Sequence, residues 1–311
     1  MSASARDYIQ LHFIIILWGF TAILGLLIKV PPLELVFYRT FLASFGLLII
    51  ISYRKLPLLV SRKNMIKFLG TGFIIAAHWI LFFGSARVST ASVCLAGMAT
   101  TSFWTSLIEP LVNRRPIRLL EVFFGLIVIA GLYLIFHFEF NHALGLILAL
   151  ASAILASIFT VINSRFTHSH NHHTISFYEM AGASLLSGLI IPVYYLFTSG
   201  SIGGISFPSA TDWGYLLILA IACTVYPFTV SIELMKRISA FVVNLSINME
   251  PVYGIILAFL IFGEKERMNS GFYLGTLVIL LSVIIYPVIR VWSNRKRIKK
   301  VPYRGAETQL K

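Results

Sequence analysis

Ten apolar runs, separated by short polar connections, account for almost the whole chain: roughly 8–29, 33–53, 65–86, 89–112, 118–137, 143–164, 174–197, 212–235, 238–262 and 269–290. Each approaches or exceeds the ~20 residues that cover a bilayer core as a helix. The pattern therefore predicts an all-α membrane protein of ten transmembrane helices. Pro31-Pro32 separates the first two runs, because proline lacks the backbone donor a helix needs. NRRPIR (113–118) divides the fourth from the fifth. The Gly- and Ser-rich segment 199–210 is the longest connection and reads as a flexible loop, either a gate or a plain tether.

The pattern also repeats. VFYRTFLASFGLLII (36–50) and SFYEMAGASLLSGLI (176–190) align at an offset of 140, with Phe37/Phe177, Tyr38/Tyr178, Ala43/Ala183, Ser44/Ser184 and Ile50/Ile190 coincident. Runs one to five then map onto six to ten. Residues 1–137 form a first five-helix repeat, 143–290 a second, and 291–311 a basic tail. Five is odd, so the second copy enters the membrane upside down. A 5+5 inverted repeat is an architecture in which transporters place a binding site near midplane, between the copies.

Composition narrows the picture. Only 12% of residues are charged and 58% are hydrophobic, against about 25% charged in soluble domains. Little chain remains for a separate catalytic or nucleic-acid-binding module. The net charge of +13 follows the connections. With the N-terminus inside, twenty of the 25 Lys and Arg fall on the cytoplasmic side, four outside, and Arg39 within a span. This is the positive-inside bias, and it predicts a multi-pass protein of the inner (plasma) membrane with both termini cytoplasmic. The tail NRKRIKKVPYR either contacts anionic lipid headgroups or only anchors orientation. The expected partners are the bilayer and a small-molecule substrate, with no nucleic acid; no oligomer interface is read. The first run is too long for a signal-peptide h-region and is read as a retained helix. Cys94 and Cys223 lie within spans, as small core residues rather than a disulfide.

EPVYGIILAFLIFGE (250–264) followed by a final span bearing Gly271 and Gly275, Trp18-Gly19 in the first span, Ser89-Thr90-Ala91-Ser92 opening the fourth, and Glu121, Gly125 and Gly131 in the fifth resemble the EamA-like family of the drug/metabolite transporter superfamily. The resemblance covers nearly the whole chain and implies an exporter or permease for small metabolites such as amino acids. In one respect the repeats depart from each other. Where the second has Pro251 the first has Ser102, and its Glu109-Pro110 pair falls about two turns later.

Charges within a span each need a partner, a wet cavity or a function. Glu250, mid-span and before Pro251, is either a substrate or proton site or a protonated group bonded to a neighbouring helix. Ser246, Glu250 and Tyr253 share one face. Arg39 either selects substrate charge near the outer mouth or snorkels to headgroups. Glu179 is its counterpart near the inner mouth, either a proton-coupling group or a partner of Arg165 or Lys236. His78 is either a proton relay or a core histidine. Trp79, with Trp18, Trp104, Tyr38, Tyr178, Tyr226 and Tyr253, either lines an amphipathic cavity or packs. Asn244 and Asn248 bond between helices or contact substrate. Glu109 and Glu233 read as surface ion pairs with Arg114 and Lys236. Four histidines in HSHNHH (168–173) either bind a metal or form a solvated connection; no cofactor or resident metal is expected. G-x-x-x-x-G-K-[ST], H-E-x-x-H and G-x-S-x-G are absent, which disfavours ATP-driven transport and a membrane protease or lipase.

The combined expectation is a secondary transporter working by alternating access, not an enzyme. Glu250 and Arg39 together would suit a zwitterion such as an amino acid. The competing readings are a nucleotide-sugar or phosphate-ester carrier, which needs several basic residues in the cavity, a membrane enzyme, and a non-transporting sensor.

Overall fold

A computed structural model describes residues 3–138, 142–200, 205–263 and 270–299. The centre of the 199–210 connection, the Lys265 and Arg267 loop, and the side chains of the basic tail lie outside the described residues. The first repeat comprises α1 (Ala5–Leu27), α2 (Pro32–Tyr53), α3 (Arg62–Val88), α4 (Ala91–Met98), α5 (Thr101–Asn113) and α6 (Leu119–Phe138). The second comprises α7 (Ala143–Phe166), α8 (His172–Ser199), α9 (Ala210–Ala220), a π-helical turn (Ile221–Val225), α10 (Tyr226–Leu234), α11 (Ala240–Ile247), α12 (Glu250–Phe262) and α13 (Ser270–Lys299).

Local chemistry sets these boundaries. Ser4 and Ser209 each close a capping box with the Asp three residues on, Asp7 and Asp212, which satisfies the first orphan N–H groups of α1 and α9. The prolines at 31 and 32 start α2 where expected. Among the described residues, eight helical stretches are long and apolar enough to cross a membrane. Leu119–Gly131 and Tyr273–Ser282 are shorter apolar segments within α6 and α13. Large apolar residues such as Phe41, Phe45, Leu126 and Leu189 point outward. That is the inverse of a soluble protein and is the surface lipid covers.

Two of the expected helices break into half-helices. The fourth span bends at Ala99 and Thr100, the ninth at Asn248 and Met249. In the ninth, Pro251 supplies no N–H, and Met249 N bonds back only to Ser246 O. No proline marks the break in the fourth. Hydroxyls instead take the carbonyls: Thr100 donates to Gly97 O (2.8 Å), Thr101 to Met98 O (2.6 Å) and Ser102 to Ala99 O (3.4 Å). Such back-bonding loosens a helix. The two breaks are thus equivalent despite the Ser102/Pro251 mismatch.

Corresponding helices run antiparallel. Asn244 on α11 donates to Thr105 on α5 (2.7 Å), and Asn248, just beyond α11, donates to Ser102 nearer the start of α5 (2.9 Å). On α2 and α8, Tyr195 donates to Glu34 while Phe37 meets Gly188. On α6 and α13, Tyr286 donates to Glu121 (3.1 Å) while Gly131 approaches Gly275. In each pair, residues rising along one helix meet residues falling along the other. The main core lies between the repeats, around Leu11, Ile15, Leu35, Phe83, Leu95 and Leu219.

Candidate functional site

A cavity lies at the two helix breaks. Met98 and Thr101 flank the first break, Ile247 and Glu250 the second, and all four are on its wall. Thr101 and Glu250 each open the half-helix that follows a break. Interrupted helices leave backbone groups and helix ends free to meet a solute, which is how transporter sites are commonly built.

Arg39 of α2 is the buried cation of this wall. It is 1% exposed. Its Nε donates to Thr224 Oγ1 (2.7 Å) and Nη2 to Cys223 O (3.4 Å). The guanidinium carbon lies 3.9 Å from the centroid of the Trp79 ring, a cation–π stack that partly replaces lost hydration. Nη1 makes no hydrogen bond with the described residues. Glu250 is 7% exposed and lies within electrostatic range of Arg39. A cation and an acid from different repeats therefore share one low-dielectric chamber.

Around them the wall is aromatic. Trp18, Trp79, Phe82, Phe159 and Phe228 line it, with Phe228 6.1 Å from Trp79 and 6.0 Å from Phe159, ring centre to ring centre. His78 also lies on the wall. Its Nδ1 is 2.7 Å from Ser152 Oγ and 3.0 Å from Ser152 O, and Ser152 Oγ donates to the His78 carbonyl. The imidazole is thus clamped between α3 and α7. Asn244 lines the cavity while bonded to Thr105.

Other predicted residues sit off this wall. Asn248 is buried against Ser102. Tyr253 packs in the core beside Gly19. Tyr38 and Tyr178, the repeated pair, have matching roles outside the cavity. Each donates to a carbonyl in the connection of the other repeat, Tyr38 to Ser206 O (3.3 Å) and Tyr178 to Leu58 O (3.2 Å). Glu179 is fully buried, and its carboxylate accepts from Asn163 Nδ2 (3.3 Å), a residue that does line the cavity. It pairs with neither Arg165 nor Lys236.

The expected mouth positions change as well. Counting along α2 puts Arg39 about two turns from an end, yet the second repeat covers that end. Tyr195 OH and Ser206 N both donate to Glu34, and the Lys29 N–H donates to Asp212 (2.8 Å), while from within the first repeat Arg87 donates to the carbonyls of Gly25, Ile28 and Val30. In the other direction the wall extends through Asn163 and Ile232 to Met235, next to the ends of α7 and α10.

The peripheral acids also differ from expectation. Glu109 pairs with Arg115 (2.9 Å), not Arg114, and accepts from Phe241 N at the start of α11 (3.0 Å). Arg114 instead adopts the left-handed conformation that ends α5. Glu233 lies 3.6 Å from His172, whose ring sits 4.3 Å from that of His173, tilted by 41°. Among the described residues no three His, Cys, Asp or Glu side chains are placed to hold a metal.

Sequence reasoning did not single out Asn163, Thr101 or Thr224. Hydroxyls are too common in apolar helices to mark a site. Thr101 alone carried a signal, since it precedes Ser102 as Glu250 precedes Pro251, the two positions that align between the repeats.

The model of the EamA-like transporter family matches the chain twice, over residues 8–137 and 143–286. The chain belongs to the EamA-like transporter family. It is accordingly a multi-pass membrane protein built of two EamA repeats, from a family whose members are transporters rather than enzymes. One solved crystal structure, described only as that of a protein, superposes with a TM-score of 0.70 at 15% sequence identity, over 92% of this chain and 99% of its own. At that identity the likeness bears on the fold alone. No curated protein matches. Within the EamA pair, the family's repeat boundary falls between α6 and α7, and the cavity takes its wall from both matched segments.

Proposed function

We propose that this EamA-like protein is a ten-helix secondary transporter, a 5+5 inverted repeat with both termini in the cytoplasm, that moves a small zwitterionic metabolite across the inner membrane by alternating access. The antiparallel pairing of corresponding helices supports the inverted arrangement, and the distribution of Lys and Arg supports the orientation. The observation that carries the substrate reading is the pair Arg39 and Glu250, buried on one wall and contributed by different repeats. Arg39 takes the carboxylate and Glu250 the amine. The aromatic wall takes an apolar side chain, so an amino acid with a bulky side chain is the expected cargo. Glu250, and Glu179 behind Asn163, are the acids available for proton coupling. A phosphate-ester carrier would need several cations facing its solute, and Arg39 is the one cation on this wall among the described residues.

The test is uptake of a panel of labelled amino acids into proteoliposomes by wild type and Glu250→Gln. Removing a charge-assisted contact should slow uptake by about tenfold or more. Equal uptake by both proteins, for every solute that moves, removes Glu250 from the mechanism.

A further inference from the structure

The π-helical turn Ile221–Val225 interrupts what is otherwise a continuous helix from Ala210 to Leu234. Single π turns widen a helix locally and recur at functional sites. Here the turn places two oxygens against Arg39: Thr224 Oγ1 receives Nε at 2.7 Å and the Cys223 carbonyl receives Nη2 at 3.4 Å. Thr224 is fully buried, and its hydroxyl donates to Leu219 O, five residues back, at 2.7 Å. In an α-helix a threonine hydroxyl bonds three or four residues back. The longer reach fixes the rotor, so the hydroxyl hydrogen is committed to Leu219 and a lone pair faces Arg39 Nε.

We infer that Thr224 is a positioning residue for Arg39, and that the π turn thereby sets the preference of the cavity for a carboxylate. Both oxygens are neutral, so they orient the guanidinium without cancelling its charge. Trp79 covers one face of the guanidinium plane. With Nε and Nη2 engaged and the face stacked, Nη1 remains for a ligand. A planar fork held at fixed angle suits a carboxylate. A guanidinium free to rotate loses that preorganisation and binds anions less selectively. The inference rests on the proposed reading of Arg39 as the carboxylate-binding group.

The experiment uses the full-length protein in lipid nanodiscs with labelled L-phenylalanine as probe, competed by unlabelled L-phenylalanine or by phenethylamine, which lacks the carboxylate. Wild type should favour the amino acid strongly. Arg39→Gln should reduce the ratio of the two inhibition constants to about one. Thr224→Val, which keeps the shape and removes the oxygen, should lower that ratio by about tenfold, the effect of one hydrogen bond to a charged group. Thr224→Ser should restore it to within about threefold. Thr224→Ala serves the same comparison if the valine variant aggregates on size exclusion. A ratio unchanged in the folded valine or alanine variant, alongside its loss in Arg39→Gln, overturns the role of Thr224 and leaves Arg39 standing. No saturable phenylalanine binding by wild type, or a wild-type ratio near one, overturns the reading of Arg39 and this inference with it.

Discussion

Arg39→Gln is expected to reduce uptake of carboxylate-bearing solutes by a hundredfold or so while leaving the protein folded. Truncating one member of a buried charge pair costs about 2–5 kcal/mol, and every 1.4 kcal/mol is tenfold. Arg39 is 1% exposed and shares its chamber with Glu250. Its removal takes away the ligand's partner and also leaves the acid without a nearby cation. Glutamine retains an amide donor within the space beside Thr224, which favours a folded variant. Arg39→Lys should recover only a small part of the rate. A lysine keeps the charge but has neither the planar face that stacks on Trp79 nor the fork that reaches Thr224 and a ligand together. Initial uptake rates over a range of solute concentrations, with monodisperse elution as the folding control, give the answer. Rates within twofold of wild type for Arg39→Gln would exclude Arg39 from substrate binding.

The largest expected effect on stability lies where α3 crosses α8. A methyl group on Gly72 would overlap the carbonyl oxygen of Glu179 and come within 2.9 Å of Ala183 N. On Gly182 it would overlap Leu69 O and lie 2.8 Å from Leu69 Cα. These neighbours are backbone and cannot swing away, so the helices must part. Overpacking of this kind costs about 1–3 kcal/mol or more, a large fraction of a stability of about 5–15 kcal/mol. Gly72→Ala and Gly182→Ala should each lower the thermal unfolding midpoint in detergent by several degrees, and the double variant should accumulate poorly. Gly70, two residues away on the same helix, has nothing within 4 Å of such a methyl. Gly70→Ala should hold or raise the midpoint, since alanine is favoured over glycine in a helix by about 1 kcal/mol. Equal midpoints for all three single variants would contradict this close packing. Because Glu179 is the residue whose backbone is struck, Gly72→Ala should also disturb the Asn163–Glu179 contact behind the cavity.

The helices were legible in the sequence because lipid enforces long apolar runs. The duplication was legible because the two copies keep the same residues at matching positions, as at Phe37-Tyr38 and Phe177-Tyr178. What those tyrosines do was not legible. Their partners, Ser206 and Leu58, lie in loops of the opposite repeat, and no spacing along one chain segment reports that contact. The break at Ala99 and Thr100 was hidden for a related reason. It comes from hydroxyl back-bonding, while proline marks only the break of the second repeat. Depth also misled. Arg39 counts as near an end along α2, but the cover supplied by Tyr195, Ser206 and Asp212 makes its surroundings interior. Thr224 carried no signal, since a threonine in an apolar helix does not announce a π turn.

A single chamber between the two repeats, reached alternately from either side, should support counterflow. Proteoliposomes loaded with unlabelled L-phenylalanine and diluted into a trace of labelled L-phenylalanine should transiently accumulate label above its outside concentration. Wild type should show this overshoot, Arg39→Gln should abolish it, and Glu250→Gln should blunt it. Label that only equilibrates, or enters protein-free vesicles as fast, would contradict a carrier with a single alternating site for such a solute.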